Sequence, residues 1–285
     1  MTRKDAVKQL IIFIVLCFGL TSMVMVLAHN VDSTMENVGA QALYQLACFI
    51  PAVSALVETF VFKTRIRELG IAPNFASSTK VYVIALVFGL LLGLMDYPAM
   101  TIIFPEAVWF ENIDLIKLVF DIMLNVAICA ILTFISMGEE IGWLGYIYPR
   151  LERVGGMTFG IIAMGVIRGL WHLPLMLALG MEDVGGDLLS LILSNIMLGG
   201  VLVLVTKLSN SVVPGAFIHC MTNSLPAVFA GIVMIDEANY AKCADTIDMM
   251  NTIISAVFGI FAYVALTVWE KRRKKHKLKS EPVEV

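Results

Sequence analysis

Glu139 and Glu140 are adjacent carboxylates at the end of an apolar run, 115–137, that is long enough to cross a bilayer. Ionisable groups are scarce in such places because burying charge in hydrocarbon is costly. Two further polar pairs lie inside later apolar runs: Arg168 with His172, and His219 with Asn223. Residues four apart share a helical face, so each pair points one way from its own helix. The three groups together read as one buried site. The chemistry that suits them is hydrolysis of an amide. A desolvated carboxylate is a stronger general base, and a histidine beside it can share the proton of an attacking water or hand it to the leaving amine. A second histidine and an asparagine amide can donate hydrogen bonds to the oxyanion that develops. No G-x-S-x-G occurs and no cysteine is placed to pair with a histidine, so water is the expected nucleophile.

Such residues need helices to carry them. The chain is 59% hydrophobic and 15% charged, against roughly 25% charged in a soluble domain. Runs approaching the ~20 apolar residues of a span fall at about 9–28, 40–62, 80–100, 117–138, 157–179, 188–206, 212–235 and 249–269. Arg3, Lys4 and Lys8 before the first run resemble a signal peptide. The length of that run, the lack of a small-residue cleavage site and the spans that follow favour a retained helix. With the N-terminus in the cytoplasm, 17 of the 20 Lys and Arg fall on one side, the others being Lys117, Arg168 and Lys242. The opposite loops carry Asp32, Glu36, Glu106, Glu111, Asp114, Glu182, Asp183, Asp187, Asp236, Glu237, Asp245 and Asp248. This alternation follows the positive-inside rule.

The expectation is an all-α fold: a polytopic transmembrane helical bundle of about eight spans with both termini cytoplasmic. One integral membrane domain covers 1–270, with its motif core at 136–226 and a basic cytoplasmic tail at 271–285. The tail reads as an anchor on anionic headgroups, not as a nucleic-acid site. Cys17, Cys48, Cys129 and Cys220 lie in membrane runs, Cys243 lies in an outer loop, and no CxxC occurs, so no disulfide framework is indicated. No breaker interrupts 117–148, which predicts a long helix through the two glutamates; Gly155 and Gly156 then predict a tight turn, and Pro174 and Pro226 predict kinks. At ~1.5 Å per residue Glu139 lies ~16 Å from Arg150, His219 ~12 Å above Ser211 and His172 ~24 Å above Gly156, depths that overlap between the cytoplasmic half and the midplane. Glu58, Asp96 and Asp121 read as interfacial, and Asn125 and Asn195 as packing contacts. A compact chain without a targeting extension is expected as a multi-pass protein of a cell membrane, with a bacterial plasma membrane as the setting.

The words GEEIGWLGYIYPRL, RGLWHLPLML and PGAFIHCMTNS resemble the EExxxR, FxxxH and HxxxN motifs of the CAAX-protease and bacteriocin-processing (CPBP or Abi) family of intramembrane glutamic endopeptidases. The segment IPAVSALVETFVFK is also similar to that family. The resemblance implies Glu139 as the catalytic base, His172 as its partner, His219 and Asn223 as the oxyanion hole and Glu140 as a support. Arg168 and Trp143 are placed as supports of the site or substrate. Two positions depart from the pattern: Leu144 stands where the first motif has arginine, and Arg168 where the second has phenylalanine. The exchange is read as linked, with Arg168 supplying from the fifth span the guanidinium that the fourth has lost.

The function expected is cleavage, inside the membrane, of a peptide or lipidated protein presented from the cytoplasmic side, with no cofactor and no nucleic-acid partner. A zinc peptidase is one alternative, because Glu139, His172 and His219 are acceptable zinc ligands, although HExxH is absent. A catalytically silent scaffold or regulator is another, on the strength of Leu144 and Arg168. A transporter is weaker, since no repeated halves are evident.

Overall fold

The computed structural model describes residues 1–34, 36–181, 183–229, 231–235 and 240–280. Of the outer-loop acids, Glu182, Asp236 and Glu237 lie outside the described residues, as does the end of the tail. The described residues are almost entirely helical. The helices are α1 (Arg3–Val31), α2 (Val38–Ala47), α3 (Ile50–Val61), α4 (Phe75–Leu94), α5 (Asp96–Ile103), α6 (Leu115–Glu140), α7 (Tyr148–Trp171), α8 (Leu173–Ala178), α9 (Val184–Ser209), α10 (Val213–Ser224) and α11 (Tyr240–Ser280). Two three-residue strands, β1 (Val108–Phe110) and β2 (Val233–Ile235), pair antiparallel with Trp109 opposite Met234, a small departure from the all-α expectation.

Local chemistry sets the boundaries. Thr2 and Asp5 form a capping box at the start of α1, and Asp114 caps α6 by accepting from the amides of Ile116 and Lys117. Pro51 in the first turn of α3 helps to separate it from α2, so the expected span 40–62 is a pair bent by 42°. The long helix predicted through the glutamates is present: α6 runs into a π-helical segment, Ile141–Ile147, and then into α7. Gly156 reverses the chain at φ 83°, ψ 178°, a conformation essentially restricted to glycine. The expected kink at Pro174 is a break between α7 and α8 at His172.

Five helices among the described residues are long and apolar enough to cross a membrane, or six when α2 and α3 count as one span. The difference from about eight has two physical sources. The stretch Leu115–Ala178 counts once although Gly156 folds it back on itself. The expected run 212–235 holds a helix of only 12 residues, because Pro226 lies in a 3-10 turn (Leu225–Phe229) that leads into β2.

The bundle has two chemically distinct ends. At one, Arg150 Nε donates to Gln9 (2.7 Å), Arg153 to the Met1 carbonyl (3.2 Å), and Lys207 bridges Glu152 and Glu270. Asn74 Nδ2 also donates there to the carbonyls of Ser209 and Asn210. At the other end lie Asp32, the β1–β2 pair with Glu111, Asp114 and the Asp183 cap of α9. The charge alternation along the sequence is thus a segregation of basic and acidic segments to opposite ends.

Candidate active site

The helix that carries the two glutamates is held by close backbone contacts. A Cβ at Gly142 would lie 2.5 Å from Pro51 Cβ and 2.8 Å from its carbonyl carbon and oxygen; at Gly145 it would lie 2.5 Å from the Leu69 carbonyl oxygen. Only glycine permits that approach, and it seats the π-helical segment against α3. Tyr146 donates to the buried carboxylate of Glu58, and the Arg150 guanidinium lies 3.2 Å from the centre of the Tyr146 ring. Glu58 is therefore a buried brace, not the interfacial residue expected of it. Asp96 is buried as well, whereas Asp121 is a surface partner of Lys117 at 2.6 Å. A π-helical turn directly after two buried carboxylates is a common way to aim side chains at a functional site.

From this scaffold Glu139 and Glu140 meet residues of α7 and α10. Arg168 Nη2 lies 2.9 Å from Glu140 Oε1 and 3.3 Å from Glu139 Oε2. The same nitrogen lies 3.1 and 3.3 Å from the two ring nitrogens of His219. A guanidinium only donates, so the imidazole offers it a lone pair. Nδ1 of His219 lies 2.9 Å from Glu140 Oε1, and Nε2 lies 3.0 Å from Asn223 Nδ2. The hydrogen then sits on Nδ1, facing Glu140, while Nε2 accepts from the asparagine amide, an assignment made from the network. The contacts to Glu140 are close but off the hydrogen-bond axis, and neither of its oxygens makes a hydrogen bond.

His172, at the end of α7, places Nδ1 2.9 Å from the Arg168 carbonyl, which accepts its hydrogen and turns Nε2 outward. Its ring lies edge-on to Trp171 at 4.9 Å, and Trp171 in turn meets Trp143 at 5.6 Å and donates to Thr21 at 2.8 Å. Trp143 is fully buried, and its indole N–H faces Glu139 without hydrogen-bond geometry. All seven residues expected at the site therefore lie in one neighbourhood. Leu144 is also buried, with its side chain against Gly215 of α10.

Glu139, Arg168, His172, His219 and Asn223 line a cavity of about 380 Å³. Its other walls include Tyr44, Asp187, Ser190, Ser194, Asn195, Thr222 and Ser255. Asn195 is thus a wall residue, and its side-chain amide donates to the Leu191 carbonyl one turn back on its own helix at 2.8 Å. Asn125 is a packing contact, donating to the Ser224 carbonyl. Sequence reasoning passed over the polar face of α9, although Asp187, Ser190, Ser194 and Asn195 recur there at helical spacing. A second chamber of about 20 Å³ lies between Thr21, Tyr44, Cys48, Glu139, Trp171 and His172. That is room for about one water molecule.

Among the described residues no group of three or more His, Cys, Asp or Glu is placed to hold a metal ion. The Arg168 guanidinium lies within 3.3 Å of Glu139, Glu140 and His219.

No curated protein matches the chain. Residues 119–225, which contain every motif residue from Glu139 to Asn223, match the family model described as Type II CAAX prenyl endopeptidase Rce1-like. The resemblance read from the three motifs holds over that stretch, which is similar to the Rce1-like CAAX endopeptidases.

Proposed function

We propose that the protein is a membrane-embedded endopeptidase that cleaves a peptide bond with water activated by Glu139 and His172. The observation that carries this reading is the convergence of Glu139, Arg168, His172, His219 and Asn223 on one polar cavity inside an apolar bundle. Glu139 and His172 also border the chamber large enough for one water. A water there lies between the carboxylate that takes its proton and the cavity that receives the peptide. His172 relays that proton to the leaving amine, the usual second half of such a reaction. Asn223 keeps a second Nδ2 hydrogen for the oxyanion, and His219 orients that amide by accepting from it at Nε2. Arg168 neutralises one of the two adjacent carboxylates, which lets Glu139 and Glu140 share a dry site. The family match supports a prenylated protein as one class of substrate.

Two observations favour a silent scaffold as the second reading: Leu144 stands in the first motif, and Arg168 engages both Glu139 and Glu140 in ion pairs. Cleavage of a panel of lipidated and plain peptides by purified protein in liposomes separates the readings. The wild type should cut, Glu139→Ala should not, and a zinc chelator should change neither. Chelator-sensitive cleavage would return the assignment to zinc, and a folded but inert wild type would favour the scaffold.

A further inference from the structure

An oxyanion hole gathers hydrogen-bond donors around the charge that develops on a carbonyl oxygen. Of the two side chains that the motif resemblance places there, only Asn223 has a hydrogen to give. His219 turns Nδ1 to Glu140 and accepts from Asn223 at Nε2. A further donor has to stand where water meets the peptide. The chamber with room for one water and the cavity of about 380 Å³ share three wall residues: Glu139, His172 and Tyr44. The attacked carbon belongs at that junction, since reacting atoms approach to about 3–3.5 Å. Its oxygen lies only ~1.2 Å further on. Glu139 and His172 handle the proton there, and Tyr44 brings the third polar group, a phenol that can donate. Tyr44 is 36% exposed, and among the described residues nothing accepts from its hydroxyl. Its position is built into the fold. A Cβ on Gly138, the residue before Glu139, would lie 2.8 Å from the Cys48 carbonyl oxygen and 2.9 Å from the Phe49 ring. The break between α2 and α3 is therefore seated beside Glu139. Tyr44 lies one turn before that break, where its carbonyl accepts from Cys48 Sγ at 3.7 Å.

From this geometry we infer that Tyr44 is a further catalytic residue: its phenol O–H and the free Nδ2 hydrogen of Asn223 together hold the carbonyl oxygen of the scissile bond as it becomes an oxyanion. The phenol stays protonated throughout, so the proton of the water still passes from Glu139 through His172 to the leaving amine. The reaction rests on the endopeptidase reading; the place of Tyr44 rests on the wall that the two spaces share.

Tyr44→Phe removes the hydroxyl and keeps the ring. On a peptide that the wild type cuts in liposomes, kcat should fall about 10²–10³-fold, the cost of one oxyanion donor, with KM and the unfolding midpoint near wild type. An unchanged kcat, or a rise in KM alone, overturns the inference. A second measurement needs no turnover. Panel peptides with a tetrahedral phosphinate in place of the scissile amide are compared with the same peptides carrying a methyleneamino group, which has no oxygen at that point. Tyr44→Phe should lose about 10²-fold in affinity for the phosphinate and nothing for the methyleneamino peptide. Equal losses for both make Tyr44 a packing wall and overturn its role as a donor. A wild type and a Tyr44→Phe variant that cut equally well keep the endopeptidase reading and remove Tyr44 from it. A wild type that holds the phosphinate through Tyr44 yet cuts no peptide keeps the donor and removes the endopeptidase reading. A folded wild type that neither cuts nor binds the phosphinate removes both.

Discussion

Replacing Arg168 by phenylalanine, the residue that the family motif has at this position, should unfold or empty the site. The guanidinium is buried, and it faces Glu140, which is wholly buried, and Glu139, at 8% exposure. With charge centres about 4 Å apart, each pair is worth roughly 4 kcal/mol at the effective dielectric that describes buried sites. Against the loss of both stands the several kcal/mol no longer spent on desolvating arginine. The net cost of breaking one side of such a network is about 3–5 kcal/mol, two to three and a half orders of magnitude in the folded fraction. Leu144→Arg should restore most of it, because residue 144 lies one turn from Glu140 and is itself buried. Arg168→Lys should restore part, since an ammonium keeps the charge but not the planar fork. The assay is reversible unfolding in mixed micelles, followed by the fluorescence of Trp143 and Trp171, with peptide cleavage measured in parallel. The order expected is wild type, then the Leu144→Arg/Arg168→Phe double variant, then Arg168→Lys, with Arg168→Phe last. An Arg168→Phe protein within about 1 kcal/mol of wild type would refute the reasoning, as would a double variant no more stable than the single one.

Other consequences can be checked on the same preparation. Gly165→Ala sets a Cβ 2.5 Å from the Ile196 Cα of α9, so it should cost about 1–3 kcal/mol in the same unfolding assay by forcing the two helices apart. Gly156→Ala should cost a similar ~1–3 kcal/mol for a different reason, because its dihedrals are closed to other residues; a neutral result would mean the reversal of the chain does not need glycine. Tyr146→Phe removes the hydrogen bond to Glu58 and leaves a buried carboxylate without it, for which a loss of about 1–3 kcal/mol is expected. Asn223→Ala should lower kcat by about 10²–10³ with little change in KM if its amide meets the oxyanion, whereas a change in KM alone would make it a substrate-binding residue.

The composition of the sequence was enough to show a helical membrane bundle, and the four-residue spacing of Arg168 with His172 and of His219 with Asn223 was enough to mark residues that the fold brings to one cavity. Those signals are local: burial cost and helical periodicity act within a few residues. What could not be read were contacts made across the fold. Glu58 looks interfacial by its position near a span end, yet the close seating of Gly142 and Gly145 on α3 and the loop at Leu69 draws it under Tyr146. Arg168 and Leu144 suggested an exchange of partners between facing positions. The guanidinium does reach the carboxylates as that exchange requires, and it meets both of them, while Leu144 packs on Gly215. The span 212–235 reads as apolar throughout, but a proline and a strand pairing with β1 shorten its helix. The cavity is walled by side chains from eight helices, α2, α4 and α6 to α11, and no single stretch encodes it.

The most direct test of the central claim compares wild type with the isosteric Glu139→Gln in liposomes on one peptide that the wild type cuts. The variant keeps the shape of the side chain and removes the base, so kcat should fall by about 10²–10⁴ while KM and the unfolding midpoint stay near wild type. Undiminished kcat in a folded Glu139→Gln protein would contradict the assignment of this carboxylate as the group that activates water.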